Sequence, residues 1–218
     1  MAINNSNGII NLIDFGGRKM IKTIIFDIGG VLIGYDWTMY MMKLFNNDEA
    51  LVVKLKENIF RDWNEVDRGV LSEDELLALF TKDIPELKNE VKLFWDNLGD
   101  ALWQYDFTKD WLHDLKNRGY QLLFLSNWSH HVKECAPKQL DFLPILDGGV
   151  FSYKVNLIKP DHAIYKEIIK QYNLVPGECV FLDDRLDNCE AAKECGMSAV
   201  QVVNHEIAVE NLEKLLTK

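Results

Sequence analysis

Lys22-Thr23-Ile24-Ile25-Phe26-Asp27-Ile28-Gly29-Gly30-Val31-Leu32 decides the fold. Thr23 to Phe26 is short, apolar and β-branched, which suits a buried strand. It ends at a lone carboxylate, Asp27, and two glycines follow. In open α/β sheets, ligands bind beyond the carboxyl ends of the strands. A carboxylate is costly to bury there unless it is paired or bound to a metal. The glycines let the backbone turn sharply and come close to a ligand. Asp27 is therefore read as a nucleophile or metal ligand with a glycine-rich loop behind it.

From Asp110 onward, helices and strands alternate. Trp111 to Arg118 has helical spacing and is closed by Gly119 at a C-cap position. Tyr120 to Leu125 is a nearly continuous apolar run, as in a parallel strand covered on both faces. Further strands are expected at Val150–Ser152, Cys179–Leu182 and Met197–Val203. Helices are expected at His130–Pro137, His162–Tyr172, Leu186–Cys195 and Glu206–Leu216. This order predicts an α/β fold built on a doubly wound parallel sheet.

The stretch between has helical texture instead. Tyr40, Leu44, Leu51, Leu55 and Ile59 fall on helical spacings. Ser72-Glu73-Asp74-Glu75 is a capping-box pattern, and Pro85 opens another helix. Residues 37–107 are read as an all-helical insertion with no strand. The core then comprises 20–36 and 108–218. Trp37, Trp63, Trp95 and Trp103 are assigned to the insertion's own core. Glu65, Asp67 and Arg68 are assigned to a solvated face, and His130 and His131 to the surface.

Four polar signals sit just beyond apolar runs: Asp27, Ser126-Asn127, Lys159 and Asp183-Asp184. A parallel sheet can gather such strand ends in one crevice. Three converging carboxylates raise one another's pKa unless a cation lies among them. An all-oxygen donor set without histidine or thiol suits a hard ion, Mg²⁺ first. Lys159 would add a point positive charge for an anionic substrate.

The bulk numbers set limits. In 218 residues, 48% are hydrophobic, enough for one core domain and a modest insertion. A net charge of −10 argues against nucleic-acid or membrane-surface partners, both of which favour basic patches. It is compatible with a phosphorylated small molecule, because a local cation can reverse the field at one site. No apolar run reaches the roughly 18 residues a membrane helix needs. The cysteines Cys135, Cys179, Cys189 and Cys195 lack metal spacing, so they are read as reduced thiols of a cytoplasmic protein. Residues 1–19 are polar, then briefly apolar, without a signal-sequence pattern. They are read as an extension without catalytic role ahead of Met20. Monomer and homodimer are equally compatible with the composition.

The ordered motifs Ile25-Phe26-Asp27-Ile28-Gly29-Gly30-Val31-Leu32, Phe124-Leu125-Ser126-Asn127, Lys159-Pro160-Asp161 and Val180-Phe181-Leu182-Asp183-Asp184 resemble the haloacid-dehalogenase-like hydrolase superfamily. The likeness runs from about Lys22 to Val203. It is nearest to the helical-cap branch that holds glucose-1-phosphatase, and is similar to the phosphatase domain of soluble epoxide hydrolases. The resemblance implies a Mg²⁺-dependent phosphatase of a small phosphorylated metabolite, such as a sugar phosphate. Asp27 would form an aspartyl-phosphate, and Ser126 would bind the transferring phosphoryl group. Asn127 would orient substrate, and Lys159 would neutralise charge. Asp27, the Gly29 carbonyl, Asp184 and, less directly, Asp183 would hold the metal. Residues 37–107 would be the cap.

One position departs from the family pattern. Its phosphatases usually carry a second Asp two residues after the nucleophile, which protonates the leaving oxygen and then activates water. Gly29 stands there. Such help is typically worth about 10²–10⁴-fold. A cap residue, Asp36 or bulk water could take its place. Two other readings remain open at this point. One is a catalytically weak binding or regulatory module. The other is a metal-independent haloacid dehalogenase, in which Asp27 attacks carbon.

Overall fold

The computed structural model describes residues 20–217, so the expected extension at 1–19 lies outside them. The strands are β1 (Thr23–Phe26), β2 (Ile33–Tyr35), β3 (Leu102–Gln104), β4 (Gln121–Ser126), β5 (Gly148–Phe151), β6 (Cys179–Asp183) and β7 (Ser198–Gln201). Five form one sheet in the order β5-β4-β1-β6-β7, with every pairing parallel. From β1 the chain adds β4 and β5 on one side, then returns to add β6 and β7 on the other. That reversal opens a crevice at the carboxyl end of β1.

Alternation along each strand covers both faces of this sheet. Ile24 and Phe26 join Leu122, Phe124, Val180 and Leu182 on one face. This face packs on Trp111, Leu112 and Leu115 of α6 (Thr108–Asn117) and on Ala208 and Leu212 of α11 (His205–Leu216). Ile25, Leu123, Leu125 and Phe181 face the other way. They meet Ile164 and Ile168 of α9 (His162–Gln171) and Ala191 and Ala192 of α10 (Leu186–Glu194). Each fully buried Ile or Phe stabilises by roughly 1.5–3 kcal/mol. The short helices α7 (His130–Cys135) and α8 (Ser152–Val155) follow β4 and β5. The doubly wound parallel sheet expected from the alternation is the one observed.

Between β2 and β3 the chain is helical: α1 (Trp37–Leu44), α2 (Glu49–Ile59), α3 (Trp63–Arg68), α4 (Glu73–Phe80) and α5 (Lys88–Asp96), with short 3₁₀ turns. The sequence places no strand in 37–107, yet β3 lies there and pairs antiparallel with β2. Three residues are too few for a periodic signal. What fixes this ribbon is a cross-strand contact. A Cβ at Gly34 would lie 2.3 Å from Trp103 Cε2, so only glycine lets the indole lie on the β2 backbone. Trp103 is therefore not in the helical core; it is 42% exposed. The buried Thr108 hydroxyl donates to the Leu32 carbonyl at 2.5 Å and ties the start of α6 to the loop after β1.

The capping box forms as expected. Ser72 Oγ accepts from Glu75 N, and Ser72 N donates to the Glu75 carboxylate at 2.8 Å. Ser72→Ala should cost about 1 kcal/mol. In a chain of this size that lowers the thermal midpoint by about 2–4 °C, readable by calorimetry.

Candidate active site

Asp27 follows β1 directly, between the ends of β4 and β6. Its amide donates to the Leu182 carbonyl at 2.8 Å, so the strand pairing itself sets its height in the crevice. Its carboxylate is used asymmetrically. Oδ1 accepts from Ser126 Oγ at 2.6 Å and from the Ile28 amide at 2.7 Å, and pairs with Lys159 Nζ at 2.9 Å. Among the described residues Oδ2 has no such donor. Burial pushes the Asp27 pKa well above the carboxylate range; Lys159 opposes this and Asp183 adds to it.

Lys159 is buried and lies between two acids. Its ammonium donates to Asp183 Oδ2 at 2.6 Å and pairs with Asp27. Burial disfavours its charge, but Asp183 and Asp27 outweigh burial and hold the ammonium protonated. Asp183 is fully buried and fully used. Oδ1 accepts from the Arg185 amide at 2.9 Å, and both oxygens accept from Asn188 Nδ2 at 3.0 and 3.1 Å. Asn127 is expected to orient substrate. Its amide also brackets the Lys159 backbone, donating to the carbonyl at 3.0 Å and accepting from the N–H at 2.8 Å. It lines the cavity as well, with one N–H and one lone pair of the amide still free among the described residues. The Ser126 hydroxyl likewise points at Asp27.

A cavity of about 330 Å³ opens over these groups. Its core wall includes Asp27, Gly29, Asn127, Lys159, Asp184 and Arg185. Its other wall is formed by Tyr35, Trp37, Phe60, Trp63, Asn64 and Asp67. Two sequence assignments change here. Trp37 and Trp63, with ring centroids 5.6 Å apart, are half-buried and line the cavity rather than only filling a helical core. Asp67 is in the cavity wall, not on a solvated face. Burial and the Asp27 charge raise its pKa to about 7, against the pull of Lys159 and Arg185. No local signal marked Asp67, because one acid among Glu65, Asp67 and Arg68 looks like any exposed helix face. His131 also departs from expectation: it is half-buried, stacked on Trp95 at 4.5 Å. His130 is exposed as expected.

The acids fit a hard divalent cation. Asp27, Asp183 and Asp184 each offer a carboxylate oxygen, all within 4.8 Å of one another, and one ammonium cannot balance three negative charges. Burial and Asp183 push the Asp184 pKa up, as expected for acids gathered without enough positive charge. Gly30, at φ +74°, brings the loop backbone against Asp184; a Cβ there would lie 2.6 Å from Asp184 Oδ2. Asn188 Oδ1 is buried and has no partner among the described residues, so an acceptor is left over where a hydrated ion would bring donors. With its oxygens taken by Lys159, Arg185 and Asn188, Asp183 fits a supporting place. Asp27 Oδ2 and Asp184 are the freer oxygens.

The haloacid dehalogenase-like hydrolase family matches residues 21–196. The chain belongs to this family. A D-ribitol-5-phosphate phosphatase of Bacteroides thetaiotaomicron is 29% identical, over 85% of this chain and 93% of that protein. A sesquiterpene phosphatase of Aspergillus oryzae is 23% identical, over 89% and 96%. A family enzyme from Bacteroides thetaiotaomicron, solved with magnesium and inorganic phosphate, superposes with a TM-score of 0.63 over 83% of this chain and 93% of its own, at 23% identity.

In this member of the family the four motifs close on one crevice through Lys159. Removing that ammonium leaves two buried acids without their cation. Lys159→Met should cost about 3–5 kcal/mol in urea unfolding, as for other broken buried pairs.

Proposed function

We propose that the protein is a Mg²⁺-dependent phosphatase of small phosphorylated metabolites, sugar phosphates among them, acting through an aspartyl-phosphate on Asp27. The observation that carries this reading is the asymmetric Asp27 carboxylate. One oxygen is held by three donors, and the other is free beside an ammonium and a further acid. Similarity to a ribitol-phosphate phosphatase supports the substrate class.

In this reading Asp27 Oδ2 attacks phosphorus and the bond to the leaving oxygen breaks. Ser126, the Ile28 amide and Lys159 hold Oδ1, so the nucleophile is oriented before substrate arrives. Lys159 places its charge against the phosphoryl group, and Asn127 and Asp183 fix Lys159. Mg²⁺ would be held mainly by Asp184 and the Gly29 carbonyl, with Asp183 behind, beside the Asp27 carboxylate, and would offset charge on the phosphoryl oxygens. Residues 37–107 act as the cap, whose aromatic wall selects the leaving group. Displacement at carbon needs no metal, so the acid cluster favours phosphorus over a carbon–halogen bond. The four free thiols fit a reducing compartment such as the cytoplasm.

Phosphate release from 4-nitrophenyl phosphate tests the reading. Turnover should require Mg²⁺, stop with chelator, and fall about 10³-fold or more in Asp27→Asn. Chelator-resistant turnover of a haloacid would overturn it in favour of the dehalogenase. Phosphate binding without turnover would overturn it in favour of a binding module. Asn188→Ala, which loosens Asp183, should raise the Mg²⁺ concentration for half-activity about 10–100-fold.

A further inference from the structure

Cleaving an alkyl phosphate through an aspartyl-phosphate needs a group that first gives a proton and then takes one. The leaving oxygen departs as an alkoxide unless it is protonated, and the water that frees Asp27 must lose a proton. Most acids of the crevice are already committed. Asp27 is the nucleophile. Both Asp183 oxygens are saturated with donors. Asp184 belongs to the acid cluster suited to the cation. Asp36 caps α1, accepting from the Met39 amide at 2.8 Å. Burial and the neighbouring acids raise the Tyr35 hydroxyl above its usual range, so it holds its proton at neutral pH.

Asp67 is different. It lines the same cavity from the opposite wall, and no hydrogen bond to its carboxylate is found among the described residues. Its backbone is firmly held. The buried Ser152 hydroxyl donates to the Asp67 carbonyl at 2.5 Å and accepts from the Trp128 amide at 2.8 Å. Asn156 Nδ2 donates to the Arg68 carbonyl at 3.0 Å. The last turn of α3 is thus pinned to the loop that follows Ser126 and Asn127.

We propose that Asp67 is the general acid and base of this site, serving the leaving oxygen and then the attacking water. The inference rests on the phosphatase reading above. In the first step Asp27 Oδ2 bonds to phosphorus, the P–O bond to the leaving group breaks, and its electron pair takes the Asp67 proton, releasing an alcohol. In the second, the Asp67 carboxylate takes a proton from water as the water oxygen bonds to phosphorus. The P–Oδ2 bond breaks, returning the Asp27 carboxylate, inorganic phosphate and a protonated Asp67. A pKa of about 7 lets Asp67 exist in both forms at neutral pH.

Aryl phosphates of different leaving ability test this. The kcat/KM of the full chain with Mg²⁺ is measured on 4-nitrophenyl and phenyl phosphate, for wild type, Asp67→Asn, Asp67→Ala and Asp67→Glu. Phenolate is the poorer leaving group and needs the proton more. Asp67→Asn and Asp67→Ala should lose phenyl phosphate turnover at least about ten-fold more than 4-nitrophenyl phosphate turnover, within the range for acid catalysis. Asp67→Glu should restore part of the difference. Equal loss on both substrates, as from a purely structural or binding role, overturns the proposal, and so does no loss on either. Wild type without Mg²⁺-dependent phosphate release overturns the phosphatase reading itself and this inference with it.

Discussion

A single buried ammonium holds the site together. Lys159 Nζ lies 2.6 Å from Asp183 and 2.9 Å from Asp27, with almost no exposure to water. Taking three such charges out of water costs several kcal/mol per ion, recovered only by close geometry and further hydrogen bonds. The surrounding residues supply those bonds: Ser126 and Ile28 to Asp27, Asn188 and Arg185 to Asp183, and Asn127 to the Lys159 backbone. The arrangement still carries excess negative charge once Asp184 is included. Such a cluster suits a cation, which would offset the excess negative charge.

The sheet makes that ammonium bridge possible. β1 lies between β4 and β6, so Asp27 is flanked by Ser126 on one side and Asp183 on the other. Paired strand ends set the distances among these three residues. The order β5-β4-β1-β6-β7 is therefore a requirement of the chemistry as well as a solution to core packing. Ile24, Ile25 and Phe26 serve both purposes: their burial on two faces fixes β1, and β1 fixes Asp27.

Much of this was legible in the sequence, for one physical reason. Asp27, Ser126, Lys159 and Asp183-Asp184 stand where an apolar run stops or a helix begins, and such boundaries are visible in a one-dimensional pattern. What the sequence hid depends on contacts between distant segments. β3 exists through Gly34 and Trp103, 69 positions apart, and three residues carry no period of their own. Asn127 follows Ser126 in sequence, but its two bonds to the Lys159 backbone come from the distant turn at Lys159. Asp67 looked solvated because the wall it faces is built from distant segments on both sides of it in the sequence.

The same long-range geometry surrounds Gly29. A Cβ there would lie 3.4 Å from Tyr35 Cε1 and 4.0 Å from Trp128 Cζ3. Both are ordinary van der Waals contacts, so the Tyr35 and Trp128 rings pack directly against the backbone at position 29. An acid on the far wall must be held as rigidly as one on the β1 loop, since misplacement by about 1 Å costs about 10²-fold. Ser152 and Asn156 supply that rigidity by fixing the end of α3 to the elements that carry Trp128 and the Ser126 loop. The contacts that set Asp67 also hold its wall of the cavity to the segment after β4. Enclosing the leaving group and aligning its proton donor are thus one structural event.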